Sequence, residues 1–184
     1  MSKPIAYLAA AAFSALALTA TITAPVSAQE KTVMVGGAAM FPSKNIIQNA
    51  VHSKDHTTLV AAVKAAGLVD TLEGKGPFTV FAPTNTAFGK LPTGTVDNLI
   101  KPENKATLTK ILTYHVVPGK LEASDLADGK KLRTVEGEEL TVKKADGKVM
   151  IVDAKGGAAT VTVPNVNQSN GVIHVVDTVL MPAS

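Results

Sequence analysis

The sequence predicts an α+β domain, with helices gathered in the first half of the chain and short strands in the second. Three observations predict it. Apolar residues recur at helical spacing from Ile46 to Leu112. From Leu132 onward, five short runs rich in Val, Ile and Thr alternate with Gly-containing turns. No internal repeat or low-complexity stretch interrupts either half.

The first element is not part of the fold. Residues 1–28 carry Lys3 as their only charge, run apolar from Ile5 to Ile22, and close on Pro25 and the small triplet Val26-Ser27-Ala28. That is the pattern of a cleavable secretory signal peptide. A membrane-spanning helix needs roughly 20 apolar residues, and this run is shorter and diluted by Thr and Ser. Removing 28 of 184 residues leaves 156, enough for one domain that buries roughly 70% of its unfolded surface. A chain of that size can be exported without disulfides, and this one contains no Cys.

Residues 29–54 read as an N-terminal extension with a short helix. Ser43 stands where an N-cap belongs, ahead of Ile46, Ile47, Ala50 and Val51. A second helix is expected over Thr58–Ala66, stopped by Gly67. Phe78-Thr79-Val80-Phe81, opened by Gly76-Pro77 and closed by Pro83, reads as a strand. Thr84 then caps a helix through Lys90, with Ala87, Phe88 and Leu91 on its apolar side. Thr95 starts another helical turn, with Asp97 near its positive end. Pro102 and Glu103 suit the first turn of a longer helix bearing Leu108, Ile111 and Leu112. Tyr114-His115-Val116-Val117 follows as a strand start before the Pro118-Gly119 turn. The later strands are expected at 132–135, 139–143, 149–152, 159–163 and 172–176, with Asp146-Gly147 at a hairpin tip.

Charge narrows the partners. Loss of Lys3 with the signal takes the formal net charge from +3 to +2, too little for a nucleic-acid partner. The basic residues do bunch, at Lys130, Lys131 and Arg133 and again at Lys143, Lys144 and Lys148. These are solvated strand edges or, alternatively, contacts to an anionic partner.

Three stretches in order resemble the fasciclin-type (FAS1) domain family, over residues 55–182. They are Thr58-Leu59-Val60 to Gly67-Leu68 with Gly76 to Phe88; Leu112-Thr113-Tyr114-His115-Val116-Val117-Pro118-Gly119; and Asn170-Gly171-Val172-Ile173-His174-Val175-Val176-Asp177 with Val179 to Pro182. The resemblance implies a compact β-sandwich or wedge of short strands flanked by helices. It implies a bacterial periplasmic or secreted location and a non-catalytic role in adhesion to a cell surface, matrix or host. The partner class is then a protein or an envelope or matrix polymer, with no membrane span after signal cleavage.

Adhesion in the family has been attributed to a Tyr-His pair flanked by branched apolar residues, here Tyr114 and His115. The competing account is a buried His bonded to backbone beside a core Tyr. A second family determinant, an Asp-Ile pair before the closing stretch, falls on Asn165 and Val166, without the Asp. Because some fasciclin-type proteins are associated with pigments or lipids, the alternative function is a carrier of a small apolar ligand. Met34, Met40 and Met150 could line a groove for one.

Catalytic and cofactor chemistry find no pattern. No Ser sits in a G-x-S-x-G elbow. His52 and His56 have the spacing of metal ligands on one helix face but straddle an expected break. No cofactor or metal is expected.

Overall fold

The computed structural model describes residues 31–183; the signal-peptide assignment, residues 1–28, lies outside them. A short hairpin, β1 (Val33–Val35) and β2 (Ala38–Met40), comes first. Helix α1 (Ile46–Ala50), a 3-10 turn at Lys54–His56, α2 (Thr57–Ala66) and α3 (Val69–Glu73) follow. Then come β3 (Phe78–Pro83), α4 (Asn85–Gly89), α5 (Thr95–Leu99) and α6 (Lys105–Tyr114), the last entered through a 3-10 turn at Pro102–Asn104. The rest is strand: β4 (Val116–Pro118), β5 (Lys131–Arg133), β6 (Glu139–Ala145), β7 (Lys148–Val152), β8 (Ala158–Gln168) and β9 (Gly171–Val176). The α+β class and the segregation of helices from strands are as the sequence indicates.

Seven strands form one sheet in the order β4-β3-β9-β8-β7-β6-β5. β3 and β9 run parallel, and every other neighbouring pair is antiparallel. The sheet curls until its two edges meet, the Val135 N–H donating to the Val116 carbonyl at 2.8 Å. The result is a nearly closed, wedge-like barrel with helices along one side.

Two apolar cores follow from this closure. Phe81, Tyr114, Leu126, Leu140, Val142 and Ile151 fill the interior of the curled sheet. Ile47, Leu59, Val63 and Leu112 pack against Val80, Ala82, Ile173 and Val175 on the helix side. β3 feeds both cores alternately, with Val80 and Ala82 on one side and Phe81 on the other. That is why it shows no apolar–polar alternation, its one polar residue, Thr79, being buried as well with its hydroxyl bonded to Gly119 and Leu121. The N-terminal extension joins the same packing, since Val35, Met40, Ile46 and Ile47 belong to the helix-side core.

Local chemistry explains most boundaries. Gly67 ends α2 in the left-handed region at φ 72°. Thr84 caps α4, its hydroxyl accepting from the Ala87 N–H at 3.2 Å. Thr84→Ala is therefore expected to cost about 1 kcal/mol, read as a fall of about 2–4 °C in melting temperature. An unchanged melting temperature would show that the cap contributes nothing.

Several boundaries differ from expectation: β8 runs on to Gln168, past the expected end at Val163, β5 stops at Arg133 instead of Val135, and two further differences have a local cause. The cap of α1 is Asn45 and not Ser43. The Asn45 side chain accepts from the Gln48 N–H at 2.8 Å, and the Gln48 side chain accepts from the Asn45 N–H at 3.1 Å. This reciprocal box satisfies two otherwise orphaned donors and so outcompetes a hydroxyl two residues earlier. Tyr114 and His115 do not start a strand: Tyr114 ends α6, His115 caps it, and β4 begins at Val116.

The Asn170-Gly171 turn is a structural hub. The Asn170 side chain accepts from the Ile46 N–H at 3.1 Å and donates to the Leu72 and Gly74 carbonyls at 2.6 and 2.9 Å. Gly171 lies so close to the Phe78 carbonyl that a Cβ there would clash with it. The closing stretch of the sequence thus ties α1 and α3 to the sheet.

Candidate functional site

The pair Tyr114-His115 sits where α6 turns into β4, and this corner folds inward. Tyr114 is fully buried in the barrel core. Its hydroxyl accepts from the Ala154 N–H at 2.9 Å and donates to the Glu139 carbonyl at 3.4 Å. His115 is 2% exposed. One ring nitrogen, Nδ1, lies 2.8 Å from the Ile111 carbonyl, and the other, Nε2, accepts from the Leu180 N–H at 2.9 Å.

These partners fix the tautomer. A carbonyl can only accept, so Nδ1 carries the proton; a backbone N–H can only donate, so Nε2 is bare. Burial holds the imidazole pKa down to about 4, with the Ile111 carbonyl and the Asp153 carboxylate pulling weakly the other way. Both side chains have their polar atoms committed inside the molecule. Expected as adhesion contacts, they are placed in the interior and present almost no surface.

Asn165 and Val166 fare similarly. Val166 is buried in the helix-side core. Asn165 lies at irregularities in the β8–β9 register and adopts φ 57°. Its side-chain oxygen accepts from the Ala123 N–H at 2.7 Å, and its own N–H points to His174 Nδ1 at 3.4 Å. A half-buried Asn that holds the loop after β4 in place is architectural. Val166 offers no contact, whereas half-buried Asn165 lines a surface pocket together with Lys31, Glu122 and Asn167.

His52 and His56 are separated as well, His52 exposed and His56 buried, with no shared helix between them.

The lysines behave differently. In β6, Leu140 and Val142 point into the barrel while Glu139, Thr141, Lys143 and Ala145 point outward. The register sets Lys131 and Arg133 of β5 beside Thr141 and Glu139, Lys143 beside Met150, and Lys148 beside Ala145. The outer face of β5–β8 therefore gathers Lys131, Arg133, Lys143 and Lys148, all exposed. Half-buried Thr141, Met150, Val152 and Thr160 form its floor.

Glu139 balances part of this charge through an exposed pair with Lys131 at 3.3 Å, an interaction of little strength in water. Asp146 stands at the hairpin tip. Lys144 is exposed too but has the opposite parity, with its N–H bonded to the Asp128 carboxylate at 2.7 Å. The sequence reading placed Lys143 and Lys148 among its candidates and missed that Lys131 and Arg133 join them. The odd-number parity of 131, 133, 139, 141 and 143 was the available signal.

Comparisons place the chain. The sequence model of the fasciclin domain matches residues 54–182. The chain is 47% identical over 181 residues to the protein sll1483 of Synechocystis sp., covering 98% of this chain and 97% of that one. It is 44% identical over 115 residues to the cell surface glycolipoprotein MPB83 of Mycobacterium bovis, covering 62% of this chain and 48% of that one. Among solved structures it is similar to the FAS1 domain pair of the insect cell adhesion molecule fasciclin I. That likeness has a TM-score of 0.68 at 20% identity and covers 77% of this chain and 52% of that one. At such identity it concerns the fold alone.

Proposed function

The chain belongs to the fasciclin domain family, and from that premise we propose that it is an extracytoplasmic, non-catalytic interaction domain that adheres to an anionic polymer through the outer face of β5–β8. The surface involved could belong to an envelope, a matrix or a host cell. One observation carries the proposal: four cations, Lys131, Arg133, Lys143 and Lys148, share one open sheet face whose opposite side is core. An open outer face that combines half-buried side chains with exposed cations suits a repeating anionic chain, because several weak contacts act together.

The extracytoplasmic placement is supported by the signal-like residues 1–28 and by the cell surface relative in Mycobacterium bovis. Among the described residues no helix is long and apolar enough to cross a membrane. The adhesive role is supported by the family and by the cell adhesion molecule that shares the fold. The molecule's mild overall charge makes the local concentration of cations the more telling feature.

Binding of the full chain to dextran sulfate, with neutral dextran as control, tests this. Attachment should be selective for the sulfated polymer and weaken as salt rises, since exposed charges are screened beyond about 8 Å at physiological ionic strength. The double variant Lys143→Glu/Lys148→Glu should bind about tenfold more weakly or worse. Its stability should stay within about 0.5 kcal/mol of the parent, because both residues are exposed. Equal binding by parent and variant, or no preference for the sulfated polymer, would overturn the assignment.

A further inference from the structure

Strand β8 outruns its neighbour. β7 pairs with it only over residues 158–160, whereas β9 pairs with it as far as Gln168. Asn165 and Asn167, in the stretch that β7 leaves uncovered, line a surface pocket of about 460 Å³. That volume falls within the roughly 300–1,000 Å³ of small-molecule sites. The other walls are Lys31 with the β1–β2 hairpin, and Glu122 in the loop after β4.

The polar side chains of this pocket have bonding capacity to spare. Asn165 Oδ1 is committed to the Ala123 N–H at 2.7 Å, which orients the amide. Its Nδ2 has no bond among the described residues and stays accessible, for it is not one of the buried unpartnered atoms. The register break at Asn165, where φ is 57°, is the kind of irregularity that re-aims a side chain out of regular alternation. Asn167 is held only by a long contact, 3.5 Å from Nδ2 to the Asn165 carbonyl. Lys31 is exposed and makes no ion pair among the described residues.

We propose that this pocket binds one residue of a neutral sugar. The charges argue for neutrality: Lys31 repels a cation and Glu122 an anion, so a fully charged molecule meets a like charge on one wall. The hydrogen-bonding groups argue for hydroxyls. Ammonium and amide N–H groups donate, carboxylate oxygens accept, and a hydroxyl does both. Val33, Met40 and Pro42 supply apolar surface for the C–H face of a sugar ring.

Other small molecules fit less well. A purely apolar occupant would take the Lys31 and Glu122 charges out of water without compensation. A zwitterion would need Glu122 as the anchor for its ammonium group. The Glu122 carboxylate already faces the Lys120 ammonium at 3.5 Å, which leaves it an acceptor for hydroxyls and a poor anchor for a cation. None of the lining residues belongs to β5, β6 or β7, so the pocket is separate from the basic sheet face. One sugar in one pocket is a single contact, and the multivalent preference of the sheet face for a sulfated polymer stands beside it.

Nuclear magnetic resonance on the full chain, with labelled side-chain amides and methyl groups, tests the assignment. The probes are glucose, galactose, mannose and N-acetylglucosamine, with glycine as the zwitterionic control. At least one sugar should shift the Asn165 and Asn167 amide signals together with the Val33 methyls, and glycine should leave them in place. Lys31→Met and Asn165→Asp should each weaken that sugar about fivefold or more, the worth of one net hydrogen bond. Asn165→Asp keeps the acceptor for Ala123 and removes only the free donor. The Lys143→Glu/Lys148→Glu variant should bind the sugar as the parent does, and Lys31→Met should attach to dextran sulfate as the parent does. The two sites can therefore fail separately.

Amide signals unmoved by all four sugars at their highest soluble concentration would overturn the site. Shifts caused by glycine alone would overturn the ligand class. Undiminished sugar binding by both variants would overturn the contacts, and if Asn165→Asp fails to fold, the exposed Lys31→Met decides.

Discussion

Tyr114→Ala is expected to remove about 3–5 kcal/mol of stability, as truncation of a large buried aromatic does. That is a large share of the roughly 5–15 kcal/mol that holds a domain folded. Tyr114 is among the largest fully buried side chains, and its hydroxyl satisfies the Ala154 N–H across the barrel. Removing it opens a cavity and strands that donor. Adding His115→Ala also strands the Ile111 carbonyl and the Leu180 N–H, each a further cost of about 1–3 kcal/mol. The double variant should therefore be largely unfolded in chemical denaturation at neutral pH. Tyr114→Phe should remain folded, since it keeps the ring and loses only the hydroxyl bonds. A double variant with parental stability and lost attachment would instead restore the pair as a contact surface.

Acidification is expected to destabilise the protein well before the acid range. His115 has a folded pKa of about 4 because burial disfavours its charged form, against roughly 6.5 in the unfolded chain. Below pH 6.5 the unfolded state takes up a proton that the folded state refuses, so stability falls as pH drops. At pH values above 6.5 the contribution is fully present; by pH 4 about 3 kcal/mol is lost. His56 and His174 are also shifted down by burial and add loss of the same sign. For His174 the neutral ring bonds the Leu121 carbonyl through Nε2 at 2.7 Å and stacks on Phe81. Denaturant titrations at pH 7.5, 6 and 5 measure the slope. A flat profile over that window would show that these rings are already solvated in the folded protein.

Much of the architecture was legible because it depends on neighbours in the chain. The left-handed Gly67, the Thr84 cap and the Asp146-Gly147 hairpin follow from residues within one turn of each other. So does the alternation of β6, which separates Leu140 and Val142 from Lys143. The misplaced cap of α1 is also local: the Asn45–Gln48 box was present in the sequence, and Ser43 simply stood nearer to the usual pattern. The β1–β2 hairpin and α3 went unremarked because strands of three residues and a helix of five carry too few positions for a period to show.

The site was less legible, and for a physical reason. Whether Tyr114 and His115 face solvent depends on Ala154 and Leu180, 40 and 65 positions away. Those residues arrive only when the sheet curls and the chain end packs beneath it. Likewise, Lys131 and Arg133 join Lys143 and Lys148 through strand register, and Lys31 and Glu122 meet Asn165 through the docking of the β1–β2 hairpin and the loop after β4 on β8.

By itself, then, the sequence determined the α+β class, most of the elements and the family, since these rest on short-range periodicity, turn chemistry and ordered motifs. Only the tertiary structure decided which motif residues are core and which are surface. Burial and register are set by contacts between distant segments, and these turned the Tyr-His pair inward and left the basic sheet face open.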